Sequence, residues 1–267
     1  MGLPLIALLL LVQSHAAAGV ERFQAGLKMR AEGNHAEARR ELEAAWEMGC
    51  RDGYLLYSLV EEDRAAGDKA AGLRHFQLLL NNFPDSPWLH VLYADAYLAK
   101  DQPDEARNEF AEALRRDPKL PGVAFRAGTI EFRSGAFAKA EELFRKEIEL
   151  NPAYSDAPLF LAETLRQTGR VDEAIPYYRK AIALDAKAEL AYRALAAALA
   201  DRGDFAGAVT VLEKAEVNFP DDASFAAQLA RMLARLHRDA EALRQQERFK
   251  QLMQRRRQQA IPDRPAQ

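Results

Sequence analysis

The sequence predicts an all-α solenoid of antiparallel helix pairs, and three observations predict it. Prolines stand at 84, 118, 152 and 220, separated by 34 or by 68 residues. Glycines stand at 33, 67, 135, 169 and 203, again separated by 34 or by 68. Small residues occupy 38, 72, 106, 140, 174, 208 and 242 without a gap. Between these marks the apolar residues follow a helical period. Tyr192, Leu195, Ala196 and Leu199 make one face, and Phe205, Ala208, Val209, Leu212 and Ala215 make a second after the turn at Gly203.

A helix–turn–helix period of thirty-four, with small residues and a closing proline at fixed offsets, resembles the tetratricopeptide repeat family over residues 19–256. The resemblance implies a right-handed superhelix. Seven repeats fit without an insertion: 19–52, 53–86, 87–120, 121–154, 155–188, 189–222 and a degenerate, capping 223–256. A stacked solenoid is one continuous core whatever its length. Apolar content of 49% and charged content of 29% suit a folded chain, and a formal net charge of −3 predicts no affinity for nucleic acid or an anionic membrane.

Residues 1–18 stand outside the repeat. Leu3 to Val12 is apolar apart from Pro4 and is followed by Gln13-Ser14-His15-Ala16-Ala17-Ala18. About ten residues rise only about 15 Å as a helix, too little to span a bilayer core. A short apolar run before small residues is the pattern of a cleaved secretory signal. The expectation is an exported chain, periplasmic or extracellular, with no membrane span once processed. No Lys or Arg precedes the apolar run, so a retained apolar helix capping the first repeat is the other reading. Cys50 is the single cysteine and allows no internal disulfide. It falls where the closing prolines recur and reads as a helix-boundary residue.

Local signals place the helix ends. Ser86-Pro87 reads as an N-cap followed by proline at the first helical position, and Pro103 suits a first turn. Asp104-Glu105 and Asp172-Glu173 put carboxylates where the helix dipole favours them. In the family, the eighth and twentieth positions of a repeat face one another at the helix crossing. The pairs are Gly26/Ala38, Val60/Gly72, Ala94/Ala106, Gly128/Ala140, Ala162/Ala174, Ala196/Ala208 and Ala230/Ala242. Six are small on small, and Gly72 is expected to make room for Val60. In repeat seven His237 replaces the turn glycine, and a polar helix with Leu243, Phe249 and Leu252 as apolar remnant suits a wettable end. Residues 257–267 are expected to be a disordered tail.

No chemical motif is present: no H-E-x-x-H, no paired C-x-x-C, no P-loop and no G-x-G-x-x-G. The histidines lack ligand spacing, so neither a metal nor a cofactor is expected, and the chain does not read as an enzyme. Arg202-Gly203-Asp204 is an inter-helix turn before it is an adhesion tripeptide. What remains is a surface. The resemblance implies that the first helices line a concave groove that binds a protein or peptide. Reading the groove positions of repeats two to five gives Tyr54, Tyr57, Glu61, Arg64, Trp88, Val91, Asp95, Phe125, Thr129, Leu159, Glu163 and Arg166. The carboxylates among them predict a ligand with apolar anchors and basic residues. The carboxylate-clamp residues of some family members are absent, Phe23, Leu27, Tyr57 and Glu61 standing there. Phe132 is not assigned to the groove, because a small rotation of its helix would bury it and release Glu131 to solvent. The competing readings are a structural subunit of an envelope assembly, using outer faces, and an accessory subunit of an enzyme on another chain.

Overall fold

In a computed structural model the backbone is described over residues 3–259 and the side chains over 17–258. The described residues form fourteen helices and no strand. They divide into two compact halves, Met1–Leu120 and Pro121–Gln267. The N-terminal half holds α1 (Leu3–Ala31), α2 (His35–Glu47), α3 (Gly53–Ala65), α4 (Lys69–Asn82), α5 (Pro87–Leu98) and α6 (Pro103–Arg116). The C-terminal half holds α7 (Val123–Arg133), α8 (Phe137–Leu150), α9 (Asp156–Gln167), α10 (Val171–Leu184), α11 (Glu189–Asp201), α12 (Phe205–Asn218), α13 (Ala223–Arg235) and α14 (Asp239–Gln259). α1 takes in part of the leader expected at residues 1–18, whose first two residues and side chains up to 16 lie outside the described residues. α14 continues past Arg256 to Gln259, and the rest of the expected tail lies outside them too. Among the described residues, no helix is long and apolar enough to cross a membrane.

Each pair closes around a turn whose backbone is left-handed. Gly33, Gly67, Gly135, Gly169 and Gly203 have φ between 71° and 81°. The two places that lack glycine adopt the same conformation, Asp101 at 57° and His237 at 56°. The left-handed turn thus recurs at every thirty-fourth residue from 33 to 237, whatever residue occupies it. Helix starts follow the local chemistry. Asp52 accepts from the Tyr54 N–H at 2.6 Å, Asp68 from Ala71 at 3.0 Å and Ser86 from Trp88 at 3.3 Å, with Pro87 next in line.

Other helices start without a side-chain cap of their own, α7 among them. Its N-cap, Gly122, has no side chain to offer and sits at φ 75°. Glu147, from α8, takes over. Fully buried, it accepts from the Gly122 N–H at 3.0 Å and from the Phe125 N–H at 3.3 Å. A charged acceptor on the first N–H groups of a helix satisfies donors that the helix itself cannot.

In each half the core lies on the second helices, at positions thirty-four or sixty-eight residues apart: Leu42, Phe110, Phe144, Tyr178 and Leu212 are each at most 1% exposed. Both members of six of the crossing pairs are buried, whereas Val60 and Gly72 are only half-buried. A Cβ on Gly72 would meet just the Asp63 Cβ, at 3.5 Å, so Gly72 does not make room for Val60. A Cβ on Gly128 would lie 2.7 Å from the buried Phe144 ring. Two opposite results are therefore expected. Gly128→Ala lowers stability by about 1–3 kcal/mol through overpacking. Gly72→Ala raises it by about 0.5–1 kcal/mol through helix propensity. Urea unfolding of the two variants checks both, and equal shifts would refute the crossing geometry.

Cys50 is buried beyond the end of α2, where burial pushes its thiol pKa up. Glu131 stays buried at 7% and Phe132 stays half-buried, so the rotation that would release Glu131 does not occur. Phe132 is held edge-on by Phe137 and Phe160. In repeat seven, Leu243 is 61% exposed, while Phe249 and Leu252 are half-buried.

Candidate functional site

Successive first helices touch one another within each half: α3 with α5, α7 with α9, and α9 with α11. The residues expected to line a groove lie on these helices, but they do not share one fate.

On the N-terminal half they close on themselves. Trp88 stacks on both Tyr54 and Tyr57, with ring centroids 4.5 Å away in each case. The ring of Phe23, on α1, meets Tyr54 edge-on at 6.2 Å. This packing leaves Trp88 8% and Tyr57 7% exposed, and Tyr54 half-buried. Stacked aromatic pairs add roughly 0.5–1.5 kcal/mol to their burial, so the rings are chiefly packing between helices. Val91 is fully buried and offers nothing to a ligand, which corrects its assignment to the groove. Its neighbours in sequence, Trp88, Leu89, Leu92 and Ala94, are buried too, so this helix turns a broad face inward. Glu61 is bound by Arg64, at 2.6 Å and 3.2 Å, and the hydrogen bond to Glu61 holds the Arg64 pKa above its ordinary value. Asp95 is half-buried.

On the C-terminal half the first helices leave a groove open. Phe125, on α7, is held by Phe144, Tyr154 and Phe160 at 5.7, 5.0 and 5.2 Å. Burial, ahead of the nearby Asp156 carboxylate, pushes the Tyr154 hydroxyl up to about 12. The Thr129 hydroxyl donates to the Arg126 carbonyl at 2.7 Å. Beyond them, α9, α11 and α13 enclose a 550 Å³ groove lined by Leu159, Phe160, Glu163, Arg166, Leu190, Arg193, Ala194, Ala197 and Gln228. That volume lies in the range of ordinary ligand pockets. Leu190 is 66% exposed on its floor.

The structure thus brings together Leu159, Glu163 and Arg166 of the expected set. The aromatic cluster around Trp88 belongs to the N-terminal half. The structure adds Leu190, Arg193, Ala194, Ala197 and Gln228. Leu190, Arg193 and Ala197 occupy the same second, fifth and ninth positions of repeat six that were read in repeats two to five. Carrying that reading one repeat further finds them.

Glu163 accepts from four donors: Arg166 Nε at 3.0 Å and Nη2 at 2.5 Å, Gln167 Nε2 at 2.9 Å and the Tyr178 hydroxyl at 2.9 Å. Burial pushes its pKa up, but the hydrogen bonds from Arg166, Gln167 and Tyr178 outweigh that and hold it below the usual carboxylate value. The Tyr178 pKa is raised, by burial first and by the Glu163 charge second. A carboxylate so held is an anchor for the helix pair rather than a proton acceptor.

The tetratricopeptide repeat family matches at residues 63–124, 125–189 and 189–232. A probable UDP-N-acetylglucosamine–peptide N-acetylglucosaminyltransferase SPINDLY of Hordeum vulgare is 29% identical over 129 residues, 46% of this chain and 14% of that protein. The TPR repeat-containing protein YpiA of Bacillus subtilis (strain 168) is 27% identical over 130 residues, 48% of this chain and 29% of that one. The matched part is therefore a minor fraction of either relative. Among solved structures, MamA aligns with TM-score 0.62 at 17% identity, over 68% of this chain and all of that one. PilF of Pseudomonas aeruginosa aligns with TM-score 0.60 at 17% identity, over 83% and 99%. YrrB, described as having an unusual peptide-binding site, aligns with TM-score 0.57 at 16% identity, over 66% and 91%. At such identities the likeness is one of fold, an all-α solenoid.

Proposed function

We propose that this chain, which belongs to the tetratricopeptide repeat family through residues 63–232, is a non-catalytic scaffold that holds a protein or peptide segment on its first helices. The observation that carries the reading is the open groove between α9, α11 and α13, where an exposed leucine stands among alanines and charged groups stand at the margin. Exposed apolar surface of this kind, rimmed by polar groups, is what binding sites are made of. The peptide-binding site ascribed to YrrB lends support by analogy of fold. SPINDLY's transferase activity belongs to a protein of which the match covers 14%, and no residue in the groove suggests chemistry of that kind.

A second reading, a structural subunit of an envelope assembly, is favoured by apolar residues exposed on second helices: Leu73 at 64%, Val217 at 81% and Leu243 at 61%. Paired variants separate the two. Partner capture from an envelope fraction is expected to fall about tenfold or more with Leu190→Glu and to be unaffected by Val217→Glu. The converse pattern would favour the outer faces and overturn the groove. An exported location rests on the apolar run from Leu3 to Val12 before small residues. A mature amino terminus near Ala17 or Gly19, found by mass spectrometry, is the expected result, and Met1 retained on a cytosolic product would overturn it.

A further inference from the structure

We infer that the groove between α9, α11 and α13 takes an uncharged, apolar peptide segment, an inference that rests on the binding reading above and gives its ligand a chemistry. The charges at the rim point to this by being already matched. Glu163 has four donors on its two oxygens. Arg193, on α11, donates through Nε and Nη2 to Glu189 at 2.9 and 2.6 Å and through Nη2 to Asp222 at 2.5 Å. Its Nη1 donates to the Ser224 hydroxyl, and its guanidinium lies 4.6 Å over the Phe225 ring.

A ligand lysine could reach Glu163 only by displacing Arg166, Gln167 or Tyr178, and a ligand carboxylate could reach Arg193 only against Glu189 and Asp222. Exchanging one partly exposed ion pair for another gains little, while the incoming charge still loses water. The rest of the lining is apolar: exposed Leu190 and Ala197, and half-buried Leu159, Ala194 and Phe160, the last already packed on Phe125, Phe132 and Phe144. The two alanines keep the floor low where a bulkier residue would fill it. Gln228 is the uncharged polar group of the lining, able to donate to and accept from a peptide backbone. The preference for basic residues expected from a line of carboxylates is thereby cancelled at Glu61 and Glu163, which both carry their own arginine.

The test is fluorescence anisotropy on the full chain with acetylated, amidated peptides of about nine residues bearing Leu and Phe anchors. Spacers are uncharged in one series, contain two lysines in a second and two glutamates in a third. The uncharged series is expected to bind about tenfold or more tightly than either charged one, with affinity unchanged between about 50 and 500 mM salt. Leu190→Glu and Ala197→Glu, both at exposed positions, are expected to abolish that binding while the circular dichroism stays native. Tighter binding of the lysine series, weakening with salt, would overturn the charge assignment and leave peptide binding standing. Uncharged peptides bound equally by the two variants would overturn the groove as their site. No binding in any series would overturn both this inference and the binding function beneath it.

Discussion

Asp63→Ala is expected to lower stability by about 3–5 kcal/mol, the cost of stranding the partners of a buried ion pair. Asp63 is fully buried on α3, hydrogen-bonded to His75 Nδ1 at 2.6 Å and ion-paired with Arg39 Nε at 2.9 Å. The two partners come from α2 and α4, so one carboxylate ties three helices together. Arg39 keeps Asp68 at 3.0 Å and Glu43 at 3.2 Å after the change, which places the effect toward the low end of the range. His75, 8% exposed, has no such reserve beside it. Beside Asp63 a second buried acid, Glu62, repeats the pattern with Arg30 at 3.0 Å and His35 at 2.8 Å. Urea unfolding at neutral pH measures the loss. A loss below about 1 kcal/mol would show that the cluster behaves as a surface pair.

Trp88→Ala is expected to cost about 3–5 kcal/mol of stability, the usual range for truncating a buried aromatic ring. The indole lies across two tyrosines of the neighbouring helix, which are themselves stacked 5.9 Å apart. The residue that looks most like a binding anchor in the sequence is therefore a poor probe of binding, because removing it disturbs the fold first. Leu190, exposed and unstacked, is the better probe. Equilibrium unfolding of Trp88→Ala alongside Leu190→Glu should show a large loss in the first and a small one in the second. A native melting curve for Trp88→Ala would return the ring to the list of candidate contacts.

The repeat was legible because its marks are local. A left-handed turn, a small residue at a crossing and a proline after a helix are each demanded by backbone geometry, so their spacing survives in the sequence. The turn at Asp101 was hidden because an aspartate stands where the others have glycine, whereas the spacing alone places the turn at His237. The groove was less legible because exposure depends on the size of neighbours. Equivalent positions on α5 and α11 carry Trp88 and Leu190, and the first is buried while the second is not. The periodicity assigns both to one column and cannot tell a ring that fills its space from a side chain that leaves space beside it. Charge was hidden for a similar reason. The carboxylates of the column are visible in the sequence, but the arginine three residues on that neutralises Glu61 or Glu163 turns a lure for basic ligands into a closed pair. The buried acids broke the pattern openly: Asp63 and Glu131 stand in a column where Leu165, Leu199 and Leu233 occupy the later repeats.

Glu147 stands among alanines in its own column, with Ala113 before it and Ala181 and Ala215 after. Its carboxylate is the cap that α7 lacks, supplied from 25 residues further along the chain. On the ribosome Glu147 is made after α7, so this cap becomes available to the first turn of α7 only once α8 has been synthesised and packed against it.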